Sequence, residues 1–240
     1  MHSIQFGNQT IPYTLSRSHR RKTLSISVNR HGVSVISPSD IDIEKIESTL
    51  HKKAVWIIKQ LADFDEMKIN VKERSFLSGE KLPYLGRHYR LKVQKTDCDQ
   101  PSFRFYQSRF LAEIPNGRNE GEYRDLLYPL YVNWVKERAD LFAQNRIQRF
   151  TLKLQQEPKK IIIKEQEQRW GSCTPAGNIL LNWRIFLAPT SIIDYVLAHE
   201  LVHLKHMNHS NEYWETLRML LPDYEQRKEW LRINGGTLNV

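Results

Sequence analysis

Residues 198–210 read AHELVHLKHMNHS, and four of the chain's nine histidines fall here, beside a single glutamate. On a helix His199 and His203 are four apart, so their imidazoles project side by side. Two neutral ring nitrogens on one face make a ligand pair for a divalent ion such as Zn2+, and H-E-x-x-H adds a carboxylate directly after the first histidine. Glu200 sits about 100° round the helix from His199. From there it can take a proton from a zinc-activated water without ligating the ion, then hand it to a leaving amine. A structural zinc site has no use for such a carboxylate. The spacing points to hydrolysis, with Glu200 as general base.

A third protein ligand is needed, and two candidates compete. His209 follows His199 by the interval found in the longer H-E-x-x-H-x-x-G-x-x-H pattern. To fold back, the chain must leave the helix near His206, with Asn208 suited to a left-handed turn. The rival is a glutamate on the following helices, such as Glu225. His206 lies on the same face as His199 and is expected to be exposed or to support the ligands from behind.

The element that must position these groups is SIIDYVLAHELVHLKH. Ser191 and Asp194 have capping-box spacing. Ile193, Leu197, Leu201 and Leu204 form a core stripe, while Ile192 and Val196 make the histidine-bearing face apolar as well. A helix apolar on both sides is expected to be buried, and a buried charge is costly unless it is paired or binds a metal. Upstream lie a strand at IIIKE (161–165), a Gly-Ser-Cys turn (171–173) and a strand at NILLNWRIF (178–186). Two further helices are expected near 210–221 and 223–234.

The first hundred residues are β-rich. SIQF (3–6), IPYTL (11–15), TLSISV (23–28) and GVSVIS (32–37) read as strands, with NRHG (29–32) as a hairpin turn. Residues 37–64 then read as a helix, on Ile43, Ile46, Leu50, Ala54, Ile57, Ile58 and Leu61. KLPYLG (81–86), HYRLKVQ (88–94), FRFY (103–106) and RFLAEI (109–114) form a second strand set, and neither set reads as a repeat of the other. The polar PNGRNEG (115–121) marks the expected boundary, giving a β-rich domain over 1–117 and a mainly helical one over 118–240. A long helix over 121–149 opens the second, with Leu126, Leu127, Leu130, Trp134, Leu141 and Phe142 on one side and a kink expected at Pro129. The order is α+β.

Composition removes several classes. With 40% apolar and 10% aromatic residues the chain is globular rather than disordered. No apolar run nears the roughly 18–20 residues that span a bilayer, so no membrane association is expected. The start, MHSIQFGNQT, lacks the pattern of a signal peptide. Two cysteines, Cys98 and Cys173, are too few for a disulfide framework, and the cytoplasm is the expected compartment. The net charge of +9 is uneven: residues 1–120 carry 20 Lys and Arg against 13 Asp and Glu, and 121–240 carry 16 against 14. The densest basic stretch, SRSHRRK (16–22), holds Arg17, Arg20, Arg21 and Lys22. It reads as a solvated loop or as a patch for nucleic acid or a nucleotide, without an aromatic stacking motif beside it.

RWGSCTPAGNILLNWRIFLAP (169–189), followed by IDYVLAHELVHLKHMNHSNEYW (193–214), resembles the YgjP-like metal-dependent hydrolases, relatives of the WLM and SprT-like zincin metallopeptidases. RRKTLSISVNRHGVSVISP (20–38) and the helix around Trp56 extend the resemblance over most of the chain. It implies a zincin-like catalytic domain with His199, His203 and His209 as zinc ligands and Glu200 as general base. His206 stands where metzincins have glycine, and no Met-turn follows. In zincins an edge strand borders the cleft and can pair with an extended peptide; NILLNWRIF is the candidate here. Arg169 could stabilise an oxyanion or form an ordinary ion pair, and Cys173 reads as a structural thiol. Tyr213 and Trp214 read as packing that fixes the loop carrying His209. A peptide or protein is the expected substrate. The alternatives are a UTP pyrophosphatase using the same metal site, which lacks support from a P-loop or an acidic Mg2+ cluster, and a DNA-associated module.

Overall fold

A computed structural model describes residues 2–7, 9–19, 21, 23–29, 32–66, 73–166 and 169–240. The chain divides into two compact units, Met1–Ile69 and Asn70–Val240. In the first, β1 (His2–Phe6), β2 (Gln9–Ser18), β3 (Ser25–Asn29) and β4 (Gly32–Pro38) form a sheet of order β1-β2-β4-β3, followed by α1 (Ile43–Glu66). Strands β2 and β4 run parallel, and the outer pairs are antiparallel. Ile11 and Tyr13 of β2 and Val33 and Val35 of β4 alternate inward. They meet Ile46, Leu50, Ala54 and Ile57 of α1, which recur at helical spacing. Arg17 donates to the carbonyls of Pro38 and Ile41, which ties it to the chain leading into α1. Arg20 and Lys22, and Arg30 and His31 of the expected NRHG turn, lie outside the described residues.

The second unit begins with the same topology. Its strands β5 (Lys81–Tyr84), β6 (Arg87–Thr96), β7 (Ser102–Tyr106) and β8 (Arg109–Pro115) have the order β5-β6-β8-β7, with β6 and β8 parallel, and α2 (Tyr123–Leu154) follows. Strand starts at 2, 9, 25 and 32 recur at 81, 87, 102 and 109. The repeat that the sequence hides is therefore present in the topology. Strand alternation fixes only which positions point inward, and different apolar residues fill them: mainly β-branched in the first sheet, a mixture of aliphatic and aromatic in the second. Both hairpin turns of the second sheet have positive φ at their two central residues, Leu85 and Gly86, and Gln107 and Ser108. That is the turn twist two-residue hairpins require, reached here without an Asn-Gly pair.

The compact units divide at 69/70, whereas the sequence reading set its boundary near 117. Physical contact explains the difference. Phe76, Leu82, Leu91 and Phe110 share one core with Leu127, Tyr131 and Val135 of α2 and with the helices that follow. The buried stripe of α2 runs through Leu127, Tyr131, Val135, Ala139, Ala143, Ile147, Phe150 and Leu154. Of the face expected from sequence only Leu127 is fully buried, and Leu141 is exposed. The helix runs through Pro129.

A three-stranded sheet then supports the histidine helix. It contains β9 (Lys160–Lys164), β10 (Gly171–Cys173) and β11 (Asn178–Asn182), in the order β10-β11-β9. The Gly-Ser-Cys segment expected as a turn is thus a short strand, and it is the edge. NILLNWRIF is not: its strand occupies the centre and stops at Asn182, whose side chain accepts from the Arg184 amide and opens a 3-10 turn. The β5–β6 hairpin clasps the next segment through Leu85 N–H to the Phe186 carbonyl (2.9 Å) and Gly86 N–H to Leu187 (3.2 Å). A Cβ on Gly86 would stand 2.7 Å from Pro189 Cα, so only glycine fits this approach. Pro189 caps α3 (Thr190–Val202), and the expected Ser191–Asp194 box does not form. Two shorter helices complete the unit, α4 (Asn211–Leu220) and α5 (Tyr224–Asn234).

Asp194 faces α2 instead, where Arg146 grips it with two hydrogen bonds of 2.6 and 2.8 Å. Such a forked pair resists shear between helices. Replacing Asp194 with Ala leaves the guanidinium uncompensated against α3, and the expected loss is about 2–3 kcal/mol, since Arg146 keeps some solvent contact. Urea unfolding measures it; a midpoint equal to the parent's would show that the pair contributes nothing. Joint replacement by Met and Leu is expected to cost less than the single change.

Candidate metal centre

The α3 helix is buried on nearly every side: Ile192–Ala198 and Glu200–Val202 are all below one-tenth exposed, and His199 is the half-buried exception. Its helical hydrogen bonding ends at Val202, earlier than the sequence suggested, and His203 is the right-handed C-cap. Amides of Leu204, Lys205 and His206 then donate to Leu201 and Val202 in tight turns. Asn208 is not among the residues with positive φ. The backbone turns back without it, and His209 returns to the helix.

The ligand atoms of His199, His203 and His209 all lie within 4.8 Å of one another. Nε2 of His199 and Nε2 of His209 are 3.3 Å apart. Two nitrogens each about 2.0–2.1 Å from one tetrahedral zinc stand about 3.3–3.4 Å apart, so the pair fits a shared ion of that size. Nδ1 of His203 meets the backbone carbonyl of His206 at 3.0 Å. That contact turns its Nε2 toward the other two rings, which is how a second ring nitrogen commonly orients a metal-binding histidine. The buried Nδ1 of His199 has no hydrogen-bond partner among the described residues. Burial, the two neighbouring histidines and the Lys228 charge push the His199 imidazole down to about 3, and burial first of all lowers His209. Both rings are neutral near pH 7, the form that ligates metal.

Tyr213 of α4 is the wall these rings share. It is fully buried, its hydroxyl donates to the His199 carbonyl at 3.0 Å, and its ring centroid lies 4.7 Å from His203 and 4.6 Å from His209. Trp214 stacks on His209 at 5.3 Å, and Tyr224 stacks on Trp214 at 5.6 Å. The exposed His209 loop is thereby held by aromatic surface, as the sequence reading of Tyr213 and Trp214 expects. His206 Nε2 meets Thr216 Oγ1 at 3.2 Å, so its ring anchors α4 while its carbonyl orients His203. Glu225 is not part of the cluster: its carboxylate is held by Arg218 and the Tyr224 hydroxyl.

Glu200 is 5% exposed, on the side of α3 that faces the edge strand β10. Burial pushes its carboxyl up to about 7, against the pull of the Cys173 amide, which donates to it, and the Arg169 charge. The strand can come this close because position 171 is glycine. A Cβ there would lie 2.8 Å from both Cγ and Oε1 of Glu200. Sequence reasoning passed over Gly171 and the Cys173 amide. The signal was available in the Gly-Ser-Cys triplet, since glycine in a strand marks a close approach. Arg169 is exposed, and the Cys173 thiol is half-buried and raised by burial, with Glu200 adding to the rise. Neither thiol of the chain is paired among the described residues.

Three imidazole nitrogens able to hold a divalent ion, with a buried carboxylate on the same helix, are the equipment of a metal-dependent hydrolase. No described helix is long and apolar enough to cross a membrane. Among curated proteins no relative matches the chain. Among solved structures, the crystal structure of the metallopeptidase zymogen abylysin of Pyrococcus abyssi is 21% identical, with a TM-score of 0.36; the match covers 40% of this chain and 96% of that one. The family described as the YgjP-like metallopeptidase domain matches residues 22–234, nearly the whole length, and the chain belongs to that family.

Proposed function

We propose that this chain is a zinc-dependent peptidase in which His199, His203 and His209 hold the ion and Glu200 is the general base. The observation that carries the reading is the convergence of three imidazoles next to a buried carboxylate. A zinc ion in that donor set would supply Lewis acidity toward water and a peptide carbonyl. The chain's own part is proton transfer and alignment. Glu200 takes a proton from the attacking water as its oxygen bonds to the carbonyl carbon, then delivers the proton to the nitrogen as the C–N bond breaks. With its carboxyl raised to about 7, the group can both accept and release a proton near neutrality. The Cys173 amide and the space left at Gly171 fix where the carboxylate points. The outer edge of β10 would align an extended peptide alongside it. Two unpaired thiols favour a reducing compartment, and we place the enzyme in the cytoplasm.

Substituting Glu200 with Gln keeps the shape and the ligands. We expect metal content to stay at one ion per chain while peptide cleavage falls about 10²- to 10⁴-fold. Cleavage at the parent rate would end the general-base assignment, and a parent that releases pyrophosphate from UTP yet spares every peptide would replace the peptidase reading. Gly171→Ala is expected to push Glu200 aside and lower kcat at least tenfold with metal content unchanged; unchanged kcat would show that the contact does not fix the carboxylate. Tyr213→Phe removes the hydroxyl that meets the His199 carbonyl. Its expected effect is about a tenfold weaker metal affinity by competition with a chelator, and an affinity equal to the parent's would reduce Tyr213 to packing.

A further inference from the structure

A groove of about 460 Å³ opens between α4 and α5, lined by Trp214, Tyr224, Glu225, Lys228, Glu229 and Arg232. Its volume is that of a small-ligand or side-chain pocket. It adjoins the metal centre directly, because the Trp214 ring that forms its wall is the one stacked on His209. Trp214 and Tyr224 are stacked nearly parallel, 22° apart with ring centroids 5.6 Å apart, and both contribute apolar lining to the groove.

The charges in the groove are unevenly satisfied. Glu229 is gripped by Arg232 with two hydrogen bonds of 2.8 and 2.7 Å, and Glu225 is bonded to Arg218 at 3.3 Å. Lys228 makes no ion pair or hydrogen bond among the described residues. Its ammonium rests 5.0 Å from the centre of the Trp214 ring, and its charge is felt at both His199 and His209. At an exposed site such a cation–π contact is weak, but it is enough to bias the ammonium toward the groove.

We propose that this groove is a substrate subsite for a carboxylate, with Lys228 as its counter-ion and Trp214 and Tyr224 as its apolar walls. The proposal rests on the peptidase reading for the identity of the substrate, and it makes that substrate acidic near the scissile bond. Two sources carry the same chemistry: the free C-terminus of a peptide, or an Asp or Glu side chain. Lys228 is none of the three clustered histidines, so its replacement removes no candidate ligand, and metal content is measured on each variant to separate the two effects.

The test uses the zinc-loaded full chain and one set of short labelled peptides. They differ only in a free or amidated C-terminus, and in Glu, Gln or Lys beside the cleavage position. Binding is read by fluorescence anisotropy on the Glu200→Gln protein, and cleavage on the parent. At low salt a carboxylate-bearing peptide is expected to bind about tenfold more tightly than its neutral analogue. The arm that carries the preference, C-terminus or side chain, identifies the source. Lys228→Met is expected to abolish the preference, and Lys228→Glu to turn it toward the Lys peptide, with metal content and circular dichroism unchanged. Equal binding of all peptides, or a preference untouched in Lys228→Met, would overturn the subsite. If peptides are cleaved without any acidic preference, the subsite falls and the peptidase reading stands. If none is cleaved but the Lys228-dependent binding persists, the subsite stands and the peptidase reading falls.

Discussion

Glu200 is the point on which the second unit turns, because an ionisable carboxyl on an apolar helix has to be met by something. One amide from Cys173 and the field of Arg169 meet it, and neither suffices unless β10 lies almost against α3. That closeness depends on the missing side chain at Gly171. Strand β10 is an edge of only three residues, so its position is borrowed from β11, which is held in turn by β9. From β11 the chain passes through a 3-10 turn into Pro189 and the start of α3. Strand and helix are therefore set by one continuous segment, and the Arg146–Asp194 fork locks the helix from the opposite side. The raised carboxyl is the residue of this incomplete compensation, and it is also what would suit the group to the base role proposed for it.

The three histidines proposed as metal ligands obey a different constraint. His199 and His203 come with the helix, but His209 sits on an exposed loop and has to be returned to them. The helix ends at Val202, a turn earlier than the histidine spacing alone would require, and the freed His206 carbonyl orients the second ligand. Aromatic rings then do what hydrogen bonds usually do around a metal site. Tyr213 touches all three imidazoles, and Trp214 and Tyr224 extend the stack beyond His209. Stacked rings restrict orientation with few rotatable bonds, which suits a site that must hold its geometry before an ion arrives.

The histidine cluster was legible in the sequence because its core is local: a four-residue interval on a helix fixes that His199 and His203 share a face. So were most strands: IPYTL and RFLAEI fall within β2 and β8, where Ile11 and Tyr13, and Phe110 and Ala112, alternate inward. What escaped was set by contacts distant in sequence. The Ser191–Asp194 spacing looks like a cap, but Asp194 finds a stronger partner 48 residues away in Arg146. NILLNWRIF has the composition of one strand, yet Asn182 ends it by capping the turn. The groove beside His209 is built from side chains on two helices and carries no motif at all.

The loop at 115–121 illustrates the limit most clearly. Its Pro, Asn and Gly mark a turn at the surface, and a surface turn looks the same whether it separates domains or merely ends a strand. Phe76, Leu82 and Phe110 decide the matter, since they bury themselves against Tyr131 and the helices beyond. The two units share one arrangement of four strands and a helix, so that arrangement cannot by itself be the source of the chemistry. In the second unit the β5–β6 hairpin tip reaches the backbone of residues 186–189 through Leu85 and Gly86. That clasp fixes the start of α3, and with it the phase at which His199, Glu200 and His203 emerge. A sheet about a hundred residues upstream of the histidines is thus part of the machinery that aims them, which is why the second core cannot be divided at residue 117.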